Sequence, residues 1–484
     1  MAYPDLRAWI AELERHGELA RVRREVDWNL EIGAITRRIC ETQGPAPLFE
    51  TVKGYPGCRI LGAPVAMSKK HRYGRLALSL GLPVDSSFRE IFEFYLARRK
   101  NRIAPIEVSA GSCQENVILG ADDVDLFKLP APYIHDGDGG RYLGTWHVVI
   151  SRNLRGDWTN YGMYRLMIHD RRHLGINLGL LQHLYLQYQE YAEQNRPMEF
   201  AAAIGVEPVT ALIGATSVGE GVNEAEVIGG VRGEPLEVVR CKTVDLCVPA
   251  TAEIVIEGTI DPRERKDEGP FGEYVGYRAG GKNPRPVLKV QAITHRNNPI
   301  LPMCALGTPI DDVHTLHSVL EAAEVFEELR DSKGFPVECV YPVPEAAGHL
   351  WAVSTDVPDK TYPRRLAMAL WAMKGGRYAD YLVLVNKDVD VTDLRELLWA
   401  MATRAHPVRD LWPVEHLYST LLVPWLTPEE RKTGDGAHVL IDATWPADWP
   451  KDWIPEVSSF KTMWPEEVQR KVLQNWREDG LGNP

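Results

Sequence analysis

The 484-residue chain lacks several features that would assign it to a specialised class of protein. Its seven cysteines are scattered without a Cys-x-x-Cys pair, which argues against a disulfide framework and against a thiolate zinc site. No apolar run reaches the roughly 18 residues of a membrane span, and the first residues have the pattern of an amphipathic helix, unlike a signal peptide. We therefore expect a cytoplasmic protein without a membrane partner.

Basic residues are in the minority, with 55 Lys and Arg against 67 Asp and Glu and a formal net charge of −12. No block of basic residues offers a surface that would neutralise nucleic-acid phosphates, so we expect no nucleic-acid partner. The chain also has no Gly-x-Gly-x-x-Gly fingerprint in a strand-to-helix context and no P-loop. These absences argue against nicotinamide dinucleotide and nucleoside triphosphate chemistry.

What the chain does contain predicts a multidomain protein of the α/β and α+β classes. Residues 1–104 predict an N-terminal α/β unit, with helical spacing over 5–45 and 71–101. Short β-rich runs broken by Gly, Asp and Asn predict a barrel-like domain over 105–310. A linker helix at 311–332 and a C-terminal domain of alternating strands and helices at 333–484 complete the predicted order.

Tryptophan is concentrated near the C-terminus. The last sixty residues contain Trp425, Trp445, Trp449, Trp453, Trp464 and Trp476. Because this segment is aromatic but poorly patterned as a core of its own, we expect it to pack on another surface, as an oligomer contact would.

Three polar residues stand in otherwise apolar or glycine-containing segments: Asn160, His183 and Glu224. An amide oxygen, an imidazole and a carboxylate together suit an octahedral divalent ion such as Mn²⁺ or Mg²⁺ better than structural zinc. The same residues also fit ordinary roles as a turn residue, a helix histidine and an acid at a helix N-terminus.

A second set is Arg165 with Glu268 and Glu273, whose carboxylates stand on either side of a Gly-Pro-Phe-Gly turn. Such a turn cannot be a regular helix, so the two acids line a shaped loop. A charged Arg can hold one carboxylate ionised, while a carboxyl group on an apolar wall has a raised pKa and can act as a general acid. A solvated surface loop is the alternative interpretation.

The order of these polar residues carries a family resemblance. It runs through Asn160, Arg165, Gln182, His183, Glu224, Glu268 and Glu273. This order resembles the UbiD family of reversible decarboxylases, with motif spacing most similar to its ferulic acid decarboxylase branch. The segments APLFETVKGYPG, VPATAEIVIEGTID and VNKDVDVTDLRELLWAMATR are also similar to that family, so the resemblance covers nearly the whole chain.

The resemblance implies a central split β-barrel that binds prenylated FMN and a C-terminal α/β domain that forms oligomers. It also implies Mn²⁺, or Mg²⁺, held by Asn160, His183 and Glu224 near the cofactor phosphate, with K⁺ nearby. The implied reaction is the reversible, non-oxidative decarboxylation of an aromatic, heteroaromatic or α,β-unsaturated carboxylic acid, which releases CO₂.

The resemblance further implies roles for individual residues. Arg165 and Glu268 would form an orienting ion pair, and Glu273 would be the proton donor. The implied cofactor-binding residues are Asn160, Met163, Tyr164, Arg165, Gln182, His183 and Glu224. The family's lysine near the cofactor phosphate is absent from its expected strand, so Lys374 or Arg377 would replace it.

Substrate contacts are expected from Gln182, beside the flavin ring, and from His314 and His317. The two histidines lie one helical turn apart and could bind a polar substrate group; both also fit ordinary helix-surface positions. The resemblance implies a flavin prenyltransferase as the source of cofactor and a homodimer or homohexamer. The alternatives are an ordinary flavin-binding oxidoreductase and a non-catalytic subunit of a carboxylase complex.

Overall fold

The computed structural model describes residues 3–179 and 181–482, beginning with a unit of four helices on a four-stranded sheet. The helices are Leu6–Arg15, Glu31–Thr42, Gly74–Ser79 and Phe88–Arg99. The strands, in spatial order, are Leu19–Val26, Ala46–Val52, Arg59–Gly62 and Ile300–Met303. The fourth strand comes from the end of the predicted central domain, so the first two units share a sheet.

The beginning of the chain shows how local sequence determines these elements. Asp5 starts the first helix by accepting a hydrogen bond from Ala8 N at 2.8 Å. Gly17, at φ +73°, then turns the chain into the strand Leu19–Val26, which pairs in parallel with Ala46–Val52. The prediction of helix across 5–45 is therefore wrong for residues 19–26. Pairing with a second strand outweighed their ambiguous local pattern.

The central unit is a curled, nine-stranded sheet that forms half a barrel. Eight strands follow the spatial order Tyr142–Gly144, Leu166–Asp170, His173–Ile176, Asn283–His295, Ile254–Glu268, Met198–Ile204, His147–Arg152 and Thr159–Gly162. The ninth, Asn116–Leu119, pairs with Asn283–His295. Its helices are His183–Glu193, Pro208–Gly214 and Glu224–Arg232, and a small side sheet contains Ile106–Glu107, Glu237–Arg240 and Cys247–Pro249.

Two strands of this sheet are unusually long and carry the site. Ile254–Glu268 pairs with Asn283–His295 in an antiparallel ladder that extends to the pair Glu268 and Asn283. The loop between these strands contains Glu273. The first half of the strand Ile254–Glu268, residues 254–260, is largely buried and rich in β-branched residues, which favour a strand, whereas residues 261–267 before Glu268 are mostly charged and partly exposed.

A helical linker leads from the half-barrel to the C-terminal domain. It runs through Asp312–Leu316, His317–Glu321, Ala322–Glu327 and Glu328–Ser332, of which the second and fourth segments are π-helical. The C-terminal sheet has the spatial order Val337–Pro342, Leu350–Thr355, Tyr381–Asn386, Asp435–Ala443 and Leu411–Tyr418. Its main helices are Tyr362–Trp371 and Leu394–Arg404.

The tail beyond this sheet contains the short helix Phe460–Met463 and the helix Glu466–Asn475, neither of which has a buried residue. Trp453 and Trp464 are 64% and 50% exposed. Within the described ranges, no helix has the length and apolar character that crossing a membrane requires. The predicted fold class, with an N-terminal unit, a central half-barrel, a linker helix and a C-terminal domain, is confirmed.

Candidate active site

One end of the half-barrel brings together Asn160, His183 and Glu224, the three predicted metal ligands. Asn160 lies in the strand Thr159–Gly162, and His183 and Glu224 are each the first residue of a helix. All three are buried, with at most 3% of their surface exposed. Burying a polar group without a partner is unfavourable, so these three side chains require hydrogen bonds or a bound ion.

Hydrogen bonds connect two of these residues directly. Glu224 Oε1 lies 3.1 Å from His183 Nδ1, and its Oε2 accepts a hydrogen bond from Tyr161 N at 3.1 Å. Asn160 Nδ2 donates to Ser151 Oγ at 3.3 Å, so its amide nitrogen is engaged by Ser151. The cluster thus offers an amide, an imidazole and a carboxylate within one buried corner.

The chemistry of this donor set fits a hard or borderline divalent ion. No group of three or more His, Cys, Asp and Glu side chains able to hold a metal occurs in residues 3–179 and 181–482. A metal at His183 and Glu224 would therefore need an additional ligand of another type, and the Asn160 carbonyl oxygen is of the kind that Mn²⁺ and Mg²⁺ accept.

Lys374 reaches this corner from the C-terminal domain. Its Nζ lies 2.9 Å from His183 Nε2 and donates to Val218 O at 3.3 Å. Burial lowers the pKa of Lys374, while Glu321 and Glu224 oppose that effect. Lys374, Arg377 and His183 line one cleft of about 710 Å³ between the half-barrel, the linker and the C-terminal domain.

Glu321, on the linker, is a buried acid in this cleft that sequence reasoning missed. Its Oε2 accepts a hydrogen bond from Ser217 N at 2.9 Å, and its Oε1 has no hydrogen-bond partner in the described part of the chain. A Cβ on Gly375 would lie 2.0 Å from Oε1, so glycine permits the segment that carries Lys374 to approach this acid closely.

Arg165 contacts both predicted catalytic carboxylates. Its Nε and Nη2 donate to the two oxygens of Glu268 at 2.8 and 2.7 Å, and its Nη1 contacts Glu273 Oε1. Burial favours the neutral form of Arg165, but the hydrogen bond and charge of Glu268, with Tyr142 and Asp138, together outweigh that effect and raise the pKa of the guanidinium. Glu268 and Glu273 are 1% and 6% exposed, so the alternative of a solvated surface loop is wrong.

Three further side chains support the loop that carries Glu273. Tyr142 donates its phenol hydrogen to Glu268 Oε1 at 3.0 Å, and burial raises its pKa. Phe271 lies under the Arg165 guanidinium, 5.5 Å from the ring centroid. Asp138 Oδ1 accepts a hydrogen bond from Gly272 N at 3.1 Å. No local sequence signal marks Tyr142 or Asp138, because their contacts exist only after the chain has folded.

The predicted cofactor-binding residues lie around the same corner. Tyr164 accepts a hydrogen bond from Leu184 N at 3.2 Å, and burial raises the pKa of its phenol. Met163 is partly buried and donates from its backbone to Gly214 O. Gln182 precedes His183, its Oε1 accepts a hydrogen bond from Gly179 N at 2.7 Å, and its amide nitrogen has no hydrogen-bond partner among residues 3–179 and 181–482.

The two predicted substrate histidines differ in their surroundings. His314 is buried, its Nδ1 accepts a hydrogen bond from Asp311 N at 2.9 Å, and its Nε2 contacts Tyr274 O at 2.8 Å. Both nitrogens are engaged, so His314 has no ring nitrogen free for a substrate and is not the helix-surface residue that the sequence allowed. It closes the capping box of the linker helix instead. His317 is partly buried, and burial lowers its pKa.

Comparison with known proteins identifies the family. Three family descriptions match in chain order: the 3-octaprenyl-4-hydroxybenzoate carboxy-lyase N-terminal domain at 10–95, its Rift-related domain at 106–309 and its C-terminal domain at 314–443. The chain is 37% identical to the pyrrole-2-carboxylic acid decarboxylase of Pseudomonas aeruginosa, with 99% of each chain covered. It is 32% identical to ferulic acid decarboxylase 1 of Saccharomyces cerevisiae, with 98% of each covered.

Solved structures agree. The closed form of Sedimentibacter hydroxybenzoicus vanillic acid decarboxylase superimposes with a TM-score of 0.89 at 30% identity and covers 100% of both chains. The UbiD-class enzyme HmfF of Pelotomaculum thermopropionicum, in an evolved dimeric form with prFMN, gives a TM-score of 0.77 at 30% identity, with 94% of this chain and 97% of that chain covered.

The chain belongs to the UbiD family. It is a carboxy-lyase, and the decarboxylase activity expected from the sequence is confirmed. These comparisons favour neither an ordinary flavin oxidoreductase nor a non-catalytic subunit.

Proposed function

We propose that this enzyme catalyses the reversible, non-oxidative decarboxylation of an aromatic, heteroaromatic or α,β-unsaturated carboxylic acid, with prenylated FMN as its cofactor. The observation that carries this proposal is the contact of one guanidinium with both Glu268 and Glu273. A buried Arg that contacts two acids can bind a substrate carboxylate. It can also release its contact with a neighbouring carboxyl group.

When bound, a prenylated flavin would supply the electrophilic centre that decarboxylation requires. The protein's own contribution is to orient and to transfer a proton. Arg165, held by Glu268, orients the substrate carboxylate. The carbon that loses CO₂ must gain one proton, and Glu273 donates it from its carboxyl group; the reverse reaction returns that proton to Glu273.

Asn160, His183 and Glu224 would hold Mn²⁺ or Mg²⁺ at the cofactor phosphate, with K⁺ nearby. Support comes from their burial in one corner and from their ligand types. We assign the phosphate contact to Lys374, because its ammonium group lies beside His183. Arg377 packs on the rings of Tyr378 and Tyr418 at 5.1 and 5.2 Å and is the less direct candidate.

The relative named for pyrrole-2-carboxylic acid makes a small heteroaromatic acid the first substrate to test. We propose Gln182 and His317 as substrate contacts in preference to His314, because both ring nitrogens of His314 are engaged within the protein. A flavin prenyltransferase would supply the cofactor, and the exposed tail would join the chains of a homodimer or homohexamer in the cytoplasm.

The test is to produce the chain together with a flavin prenyltransferase and to screen heteroaromatic, aromatic and acrylic acids for CO₂ release. The mass and absorbance of the extracted cofactor distinguish prenylated from ordinary flavin. Glu273→Gln should abolish turnover while retaining the cofactor, whereas Asp267→Asn, an exposed acid on the same segment, should behave like the wild type. Full activity of Glu273→Gln would reject Glu273 as the proton donor.

A further inference from the structure

Tyr274, the residue after Glu273, reaches out of the half-barrel and contacts the C-terminal domain. Its ring is parallel to that of His349, with an interplanar angle of 7° and centroids 5.9 Å apart. This is an offset stacked arrangement, which aromatic pairs favour. Burial raises the pKa of the Tyr274 phenol, and Thr420, also in the C-terminal domain, opposes that effect.

Tyr274 is attached to the linker as well. Its carbonyl oxygen lies 2.8 Å from His314 Nε2, and the two rings are 6.1 Å apart. The residue next to the proposed proton donor therefore contacts the linker through its backbone and the C-terminal domain through its side chain.

His349 is itself held in one orientation by a buried acid. Its Nδ1 lies 2.8 Å from Asp380 Oδ2, and Asp380 is 2% exposed. Ser419 donates to Asp380 Oδ1 at 3.0 Å, and His438 Nε2 lies 3.3 Å from the same oxygen. Burial alone would raise the pKa of Asp380, but its hydrogen bonds with His349 and His438 keep it lowered. The His349 ring that contacts Tyr274 is thus also held by a buried acid of the C-terminal domain.

The loop needs such an external anchor because it is rich in glycine. Residues 269–281 contain five glycines, at 269, 272, 276, 280 and 281. Gly269 and Gly276 adopt positive φ angles of 84°. The loop's own contacts include Gly276 N to Glu273 O at 3.0 Å and the bond from Gly272 to Asp138. A flexible backbone leaves a side chain poorly positioned unless it is fixed by packing.

We propose that the stacked pair of Tyr274 and His349 positions Glu273, so that the C-terminal domain takes part in placing the proton donor of the half-barrel. His349 and Tyr274 are positioning residues in this scheme, and Asp380 orients His349. The proposal rests on the proposed role of Glu273 for its effect on turnover, but the contact itself can be tested independently.

The experiment compares Tyr274→Leu, His349→Leu and the double variant with the wild type as prenylated-flavin holoenzymes. Loss of the contact between Tyr274 and His349 should lower kcat by about 10- to 100-fold, because displacing a catalytic group by the order of 1 Å slows a reaction by that factor. The change in kcat should be larger than the change in KM. The double variant should be no slower than the slower single variant, since both substitutions remove the same contact.

Two conservative variants and a control separate positioning from misfolding. Tyr274→Phe and His349→Phe keep an aromatic ring at the contact and should restore most of the lost kcat. Tyr277→Leu, an exposed tyrosine in the same loop, should match the wild type. Additive losses in the double variant, or no recovery in either phenylalanine variant, would overturn the proposal.

Hydrogen–deuterium exchange of the 269–281 amides gives a readout that does not depend on turnover. Exchange should be faster in the Tyr274→Leu and His349→Leu variants and unchanged in Glu273→Gln. If Glu273→Gln proved active, the proposed proton donor would fail while faster loop exchange would still support the contact. Unchanged exchange in both leucine variants would reject the contact as an anchor.

Discussion

Tyr142 donates its phenol hydrogen to the same Glu268 oxygen, Oε1, that accepts a hydrogen bond from Arg165 Nε. With Arg165 Nη2 on the other oxygen, Glu268 receives three charge-assisted hydrogen bonds in a buried site. Such bonds are short and directional, so they fix the position of the carboxylate. Glu268 is thereby suited to hold Arg165, whose Nη1 contacts Glu273, the proposed proton donor.

Tyr142→Phe should weaken this arrangement without abolishing it. The ring would keep its contact with Phe271, 4.3 Å away, but Glu268 would lose one donor. We expect the free energy of unfolding to fall by about 1–3 kcal/mol and kcat to fall by less than in Glu268→Gln. Denaturant unfolding and steady-state kinetics measure both. A Tyr142→Phe enzyme as slow as Glu268→Gln would contradict this ranking.

Removal of any proposed metal ligand should weaken Mn²⁺ binding. In Asn160→Ala, His183→Leu or Glu224→Gln we expect the Kd for Mn²⁺ to rise by more than about 100-fold. Losing a ligand lowers metal affinity at least as much as losing a hydrogen bond that orients a ligand. Electron paramagnetic resonance titration measures free Mn²⁺. His416→Gln, at an exposed histidine, serves as the control. Unaltered Mn²⁺ affinity in all three ligand variants would place the metal elsewhere.

Lys374→Met should reduce retention of the flavin. Losing one charge-assisted hydrogen bond to a phosphate costs about 1.5–3 kcal/mol, or roughly 10- to 100-fold in affinity. Arg377→Met should have a smaller effect, and Lys360→Met, at an exposed lysine, should have none. Flavin fluorescence after dialysis measures the fraction retained. The reverse ranking of Lys374 and Arg377 would assign the phosphate contact to Arg377.

Asp312 should make the protein less stable as the pH rises. Burial, with the nearby Asp311, raises the pKa of Asp312 to about 6, so between about pH 4 and 6 the folded state binds more protons than the unfolded state. The free energy of unfolding should therefore fall by about 3 kcal/mol between pH 4 and pH 7 because of this group. That amount corresponds to a pKa shift of roughly two units.

Asp312→Asn should remove that part of the pH dependence. An asparagine oxygen can still accept the hydrogen bonds that Val65 N and Ala66 N donate at 2.7 and 2.9 Å. When the free energy of unfolding is measured across pH 4–7, the difference between the variant and the wild type should grow with pH. Asp85→Asn, at an exposed position, should follow the wild type. A constant gap would show that Asp312 titrates normally.

The tail should be needed for assembly. Trp464 and Leu473 are 50% and 47% exposed, although both are large and apolar. Replacing both with serine should shift the molar mass measured by light scattering toward a smaller species, since contact cores depend on such residues. Lys471→Ser, on the same helix, should leave the mass unchanged. An unchanged mass in the double serine variant would remove the tail from the oligomer contact.

Much of the fold was predictable because its signals are local. The linker helix has a capped start at Asp311, and residues 254–260, the first half of the strand Ile254–Glu268, are rich in β-branched residues. The strand Leu19–Val26 was missed because its identity depends on pairing with residues 46–52. Similarly, nothing near Lys374 in the sequence indicates that its ammonium group reaches His183, since the two belong to different domains.

The sequence by itself determined the family, the order of the chemical groups and the kinds of ligand they offer, because residue identity and spacing are one-dimensional properties. Tertiary structure alone decided that Arg165 contacts both acids, that His314 has no free ring nitrogen and that Tyr274 stacks on His349. Such contacts depend on strand register and on how the domains pack, and those are set by the burial and pairing of residues far apart in the chain.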